Sequence, residues 1–164
     1  MSLQKITPFL WFDDQAEEAV NLYISLFKNS KILSMVRYDE ASSKAVGRPV
    51  GSLMTVSFLL EGQEFAAING GPIFKFTEAV SFAVNCENQE EVDHFWTKLV
   101  AHGGQESQCG WLKDKFGLSW QIIPKQLPEL LGGKDAEKSK RVMEAMLKMK
   151  KIDIQELMKA AEMK

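Results

Sequence analysis

The chain repeats itself. At a constant offset of 73, the segment PFLWFDDQAEEAVNLYISLF from Pro8 lines up with SFAVNCENQEEVDHFWTKLV from Ser81. Phe9 falls on Phe82, Glu17 and Glu18 on Glu90 and Glu91, Leu22 and Tyr23 on Phe95 and Trp96, and Leu26 on Leu99. A duplication of this length calls for two structural units of one kind, and it limits a 164-residue chain more than any short motif does. In each copy an apolar, strand-like run passes through a polar turn into a helix. The helix follows from spacing. Ala16, Ala19, Val20, Tyr23 and Phe27 recur at intervals of three and four, as do Val92, Phe95, Trp96 and Leu99, so each helix carries one apolar stripe. Asp14 and Asn88 are the candidate N-caps, acidic residues follow in each first turn, and Gly103 and Gly104 end the second helix.

Three strand-like runs follow each helix. In the first copy they are Lys31–Tyr38, Ser52–Leu60 and Glu64–Asn69; in the second, Glu106–Trp111, Leu112–Lys115 and Leu118–Pro124. A glycine opens the last strand of each, Gly62 and Gly117. Pro8 to Gly62 spans 54 residues and Ser81 to Gly117 spans 36, so the first copy is 18 longer. The excess is assigned to DEASSKAVGRPVGS, a polar, glycine-containing connection between the second and third strands. Each unit therefore reads βαβββ. One helix cannot cover both faces of a small sheet, so each unit has a further sheet face to bury. This order of elements gives an α+β protein with mixed or antiparallel sheets, not a doubly wound parallel one. The expected modules are residues 1–76 and 77–125, followed by a C-terminal helical extension, 126–164. Pro124 and Pro128 break the last strand. Asp135–Lys148 and Ile152–Glu162 then read as helices whose Val142/Met146/Met149 and Ile154/Leu157/Ala161 stripes dock on the domain or on a second subunit.

Hydrophobic residues make up 45% of the chain and charged residues 26%, enough for a real core. A net charge of −2 gives no electrostatic basis for binding nucleic acid. The opening MSLQKITPFLWF has no signal-peptide pattern and no run reaches bilayer length, so the expected location is cytoplasmic, away from membranes. Cys86 and Cys109 lack CxxC spacing and read as free thiols in a reducing compartment.

Three runs carry a resemblance: TPFLWFDDQAEEAVNLYISLF, CGWLKDKFGLSWQIIP and KSKRVMEAMLKMKKIDIQELMKAA. Together they resemble the PhnB-like branch of the glyoxalase/bleomycin-resistance/extradiol-dioxygenase (vicinal oxygen chelate) superfamily over essentially the whole chain. Members of that branch often carry the label 3-demethylubiquinone-9 3-methyltransferase. The resemblance implies two paired βαβββ modules whose curved mixed sheets form cups, facing each other within one chain or across a homodimer. In catalytic relatives it implies a divalent metal in the cup, held by a His on the first strand and a Glu on the last strand of each unit, polarising vicinal oxygens of the substrate.

Carried over residue by residue, the family pattern places those ligands at Pro8, Ala66, Ser81 and Gln121. Proline and alanine offer no side-chain donor, and serine and neutral glutamine are weak ligands for the usual divalent ions. The expectation is therefore that the family metal site is lost and no cofactor is held. His94 and His102, eight residues apart and on no expected cup strand, do not supply a substitute. A methyltransferase using S-adenosylmethionine calls for a glycine-rich strand-to-helix turn, and INGGP leads into the extended KFTEAV instead. No G-x-S-x-G elbow is present.

The remaining candidates are polar groups that line the cup. If Pro8 and Gln121 take the former ligand places, strand alternation turns Leu10, Ser81 and Ala83 inward and sends Phe9 and Trp120 to the helix side as core. Gln121, Ser81 and Leu10 are the leading ligand-binding candidates, with Asn69, Arg37 and Cys109 behind them. A buried amide must be hydrogen-bonded or wet, which singles out Gln121. The first expectation is a metal-independent, homodimeric binder of a small, partly apolar molecule. Two alternatives stand beside it: a superfamily isomerase, lyase or oxygenase with a non-standard metal site, and a drug-sequestering resistance protein.

Overall fold

In the computed structural model, which describes residues 4–163, the chain divides into two compact units, one up to Lys75 and one from Phe76 onward. The first has the order β1 (Phe9–Phe12), α1 (Ala16–Leu26), β2 (Lys31–Arg37), α2 (Glu40–Val46), β3 (Leu53–Leu60) and β4 (Gln63–Asn69). The second has β5 (Ser81–Cys86), α3 (Gln89–Val100), β6 (Gln105–Glu106), β7 (Trp111–Lys113) and β8 (Ser119–Pro124). It continues into α4 (Gln126–Leu131), α5 (Ala136–Met146) and α6 (Ile154–Glu162). Both sheets have four strands in equivalent orders, β1-β4-β3-β2 and β5-β8-β7-β6. The first and last strand of each module pair in parallel and the others are antiparallel, so both sheets are mixed. The fold is α+β, as the repeat requires.

The last strand opens on glycine for a conformational reason. Gly62 and Gly117 have φ of 78° and 88°, a region costly for a side chain bearing Cβ.

In the first sheet Leu10, Ala67 and Val56 are in register and buried, as are Phe58 and Phe65, whose rings stack at 5.6 Å. The stripe of α1 (Ala16, Ala19, Val20, Tyr23 and Leu26) lies among the buried residues and α1 packs on β3 and β4. In the second sheet Val84 and Ile122, then Leu112 and Trp120, form the matching layer, with Val92, Phe95, Trp96 and Leu99 from α3.

Three departures from the sequence reading have local causes. The DEASSKAVGRPVGS excess holds a helix, α2, not only a connection. Asp39 and Ser42 form a capping box at its start and Gly47, with φ 72°, closes it. Secondly, α1 is not capped by Asp14: its N-cap is Gln15, which makes no side-chain cap bond, and the Ala16 N–H is taken by Asn69 Oδ1 at 2.8 Å. Asn88 does cap α3, accepting from Glu91 N–H at 3.0 Å. That helix ends at Val100, and a 3-10 turn, Ala101–Gly103, precedes Gly104. Thirdly, most of Glu106–Trp111 is a turn rather than a strand, with Cys109 and Gly110 at φ 57° and 83°.

The extension belongs to the second unit. Leu127, Leu130, Val142, Ile152, Leu157 and Ala161 form one buried cluster, with Ile123 packed against it. Cys109 N–H donates to Met149 O at 2.8 Å and Gly110 N–H to Lys150 O at 2.7 Å. Gln89 bridges as well, accepting from Ile154 N–H at 2.9 Å and donating to Ile152 O at 3.1 Å. Pro128 sits in the first turn of α4, where its missing N–H costs no helical bond. No helix among the described residues is long and apolar enough to cross a membrane.

Candidate functional site

Side chains of residues in register share a face, and successive residues on a strand alternate. With Trp120 and Ile122 on the α3 side, Gln121 faces the other way, between its register partners Ala83 on β5 and Trp111 on β7. Ser81 and Ser119 are register partners on the same face, and Lys113 lies opposite Ser119. Gln121 Nε2 donates to Ser81 Oγ at 2.9 Å, and both residues are half-buried. Ser119 is 1% exposed and its hydroxyl has no hydrogen-bond partner among the described residues. Lys113 is ion-paired to Glu78. The face is thus a small array of neutral polar groups beside an indole, with its one strand-borne cation already balanced.

The first module presents a different surface at the corresponding place. Phe9 pairs with Ala66 and Trp11 with Ile68. Phe9 is 60% exposed and Leu10 is 6% exposed, so the strand phase is the reverse of the sequence expectation. Leu10 is a core residue on the α1 side and Phe9 is not. The cause is a one-residue difference in the turn. Residues 13–15 join β1 to α1, whereas only 87–88 join β5 to α3. The offset of 73 that aligns the helices is therefore 74 on the strands, and Thr7, not Pro8, takes the place of Ser81. Pro8 contributes its carbonyl, which accepts from Ala66 N–H at 2.9 Å.

The donor set at these places is a threonine hydroxyl and a methyl in one module, and a serine hydroxyl and a neutral amide in the other. These do not fit the imidazole and carboxylate ligands of a divalent ion. Among the described residues no group of three or more His, Cys, Asp or Glu is placed to hold a metal. His94 is exposed on α3 with its ring edge-on to Phe95, and His102 sits at φ 59° in the 3-10 turn.

The other candidates lie apart from the Ser81–Gln121 pair. Asn69 and Arg37 line one cavity of about 390 Å³ in the first unit, along with Asp14, Glu17 and Arg48. Asn69 is bound into the fold there: besides accepting from Ala16, its Nδ2 donates to Leu53 O at 3.3 Å, and its backbone carbonyl accepts from Tyr38 Oη at 2.7 Å. These bonds tie Asn69 into the start of α1 and the first residue of β3. Arg37 is exposed and donates to Gly51 O at 3.1 Å. Cys109 is a half-buried free thiol in the turn before β7. Cys86 is buried, and loss of hydration, with a smaller contribution from the Glu91 carboxylate, pushes its thiol up to about 12.

Two sets of residues escaped the sequence reading. Ser119, Trp111 and Lys113 share the face of Gln121, and the period of two was the available signal for Ser119. Asp114 ties together the run CGWLKDKFGLSWQIIP. It is 2% exposed, its Oδ1 accepts from Phe116 N–H at 2.9 Å and Leu118 N–H at 3.0 Å, and its Oδ2 accepts from Trp120 Nε1–H at 3.0 Å. INGGP has a packing role. Trp11 Nε1–H donates to Gly71 O at 2.9 Å, and a Cβ on Gly70 would lie 2.2 Å from the Trp11 ring.

Two βαβββ modules with unclosed mixed sheets and equivalent strand orders define a glyoxalase-like, vicinal oxygen chelate protein, and solved structures of that fold match it. The fosfomycin resistance protein FosX of Listeria monocytogenes superposes with a TM-score of 0.54 at 18% identity, over 79% of this chain and 97% of its own. A Pseudomonas aeruginosa protein gives 0.58 at 19%, over 75% and 98%. The PhnB protein of Bacillus cereus is 41% identical, with a TM-score of 0.66 over 74% of this chain and 99% of its own. The profile of the family described as 3-demethylubiquinone-9 3-methyltransferase matches residues 4–123. The chain belongs to that family, the PhnB-like branch of the superfamily. No curated protein matches it.

Proposed function

We propose that this chain is a metal-independent small-molecule-binding protein of the glyoxalase-like superfamily, and that its ligand sits on the β5–β8–β7 face around Gln121. The observation that carries the reading is the 2.9 Å bond from Gln121 Nε2 to Ser81 Oγ. Two places that hold metal ligands in catalytic relatives are here satisfied by each other. A neutral amide on a half-buried sheet face retains hydrogen-bonding capacity for a bound molecule. The methyl transfer in the family's description finds no support in the INGGP segment: β4 ends at Asn69, and residues 70–80 form no helix to receive a cofactor phosphate or carboxylate.

Purified protein assayed for bound metal, and melted with Zn, Ni, Mn or Fe salts, tests this directly. The expected result is substoichiometric metal and an unchanged Tm. One equivalent of metal with a raised Tm overturns the reading and favours a superfamily enzyme with a non-standard site.

The proposal includes a cytoplasmic homodimer. Phe9, Leu33 and Val36 leave apolar side chains 60%, 45% and 49% exposed on the first sheet, and β2 is an edge strand. Sedimentation at twice 18.5 kDa is expected, and a monomer mass removes the dimer.

A further inference from the structure

The neutral array on the second sheet restricts what chemistry a ligand can offer it. The bond between Gln121 and Ser81 uses one amide hydrogen and one hydroxyl lone pair. It leaves the Gln121 Oε1 acceptor, the second amide hydrogen and the Ser81 hydroxyl hydrogen to be answered. Turning the amide over reverses the bond, and in either orientation the pair still offers both donors and acceptors. Beside them is the Ser119 hydroxyl, 1% exposed and without a hydrogen-bond partner among the described residues.

Charge narrows the choice further. Gln105 and Asn85, which share this face by register and alternation, are neutral. Lys113 is the cation on these strands and is committed to Glu78. A carboxylate or phosphate would lose hydration here without gaining a free cation, and a plain hydrocarbon would leave donor and acceptor unpaired. A group carrying its own donor and acceptor, with no net charge, answers both. Trp111, in register with Gln121, adds a flat apolar surface for the ring or chain behind that group.

We infer that the ligand presents an uncharged amide-type group (a primary amide, lactam or cyclic urea) to Ser81 and Gln121, with an apolar or aromatic body against Trp111. The inference rests on the binding function proposed above.

Three probes of one shape separate the possibilities: benzamide, benzoate and toluene, titrated into the full chain carrying 15N-labelled glutamine side chains. Benzamide is expected to shift the Gln121 side-chain amide signals saturably and to bind at least tenfold more tightly than benzoate or toluene. Gln121→Met and Ser81→Ala, each checked by its melting curve, are expected to remove most of that preference. Toluene binding as well as benzamide would overturn the amide assignment while leaving the binding function standing. Benzoate binding more tightly than benzamide would do the same. If none of the three binds this face, both readings fall.

Discussion

The indole N–H of Trp120 donates to Asp114 Oδ2 at 3.0 Å, joining the turn between β7 and β8 to the core layer under α3. The same carboxylate holds two backbone N–H groups with its other oxygen. Asp114→Asn keeps the shape but turns an NH2 toward the indole or toward the backbone donors, leaving a buried donor unpaired. The expected cost is about 2–4 kcal/mol, because a buried, charge-assisted bond is replaced by a donor–donor contact. Urea unfolding followed by tryptophan fluorescence measures it, and an unchanged midpoint would show that the turn does not depend on Asp114.

Asn69 and Arg37 line the same cavity but should behave oppositely. Asn69→Ala removes the acceptor that satisfies Ala16 N–H at the start of α1 and the donor to Leu53 O. A loss of roughly 2–3 kcal/mol is expected. Arg37→Ala removes an exposed side chain with one long bond, and should change stability by no more than about 0.5 kcal/mol. Equal effects in thermal melts would mean the amide is not the cap of α1.

Gly70→Ala forces a methyl into the Trp11 ring, since the added carbon would lie 2.2 Å from it. The indole must leave its contact with Phe74, now edge-on at 5.0 Å. Overpacking of this kind costs about 1–3 kcal/mol, with a shift in Trp11 emission. Wild-type emission and Tm would contradict the packing described.

Cys86 should resist thiol reagents at pH 8 in the folded protein and react once urea unfolds it. Its thiol keeps its proton up to about 12, against 9.0 unperturbed. Between those values the unfolded chain binds fewer protons than the folded one. The contribution to stability is therefore complete below pH 9 and is lost as pH rises toward 12. Cys86→Ala should flatten that part of the wild-type stability profile, and equal profiles would deny the thiol any part in it.

Much of the fold was legible because duplication doubles each signal. The stripes of α1 and α3 fall 73 apart, and Gly62 and Gly117 mark both last strands through a backbone conformation that side chains resist. The phase of β1 was not legible. The helices dominate the alignment, and one extra residue in 13–15 turns Leu10 into the core and Phe9 out of it. Helix α2 was hidden for another reason: none of its residues is buried, so it has no apolar period, and its capping box and Gly47 are its only marks. At the site, Ser81 and Gln121 were read from the family pattern. Ser119 was within reach of the period of two on β8, whereas Trp111 needed the pairing of β7 with β8, which no local pattern encodes.

The backbone bonds from Cys109 and Gly110 to Met149 and Lys150 have a consequence for synthesis. The turn that leads into β7 borrows its carbonyl partners from about 40 residues further on, and Ile152 packs beside Gly110. Until residues 149–152 have left the ribosome, the strand carrying Trp111 lacks these anchors. The turn that leads into β7 should therefore be among the later parts of the second unit to settle, and a truncation before Met149 should loosen it.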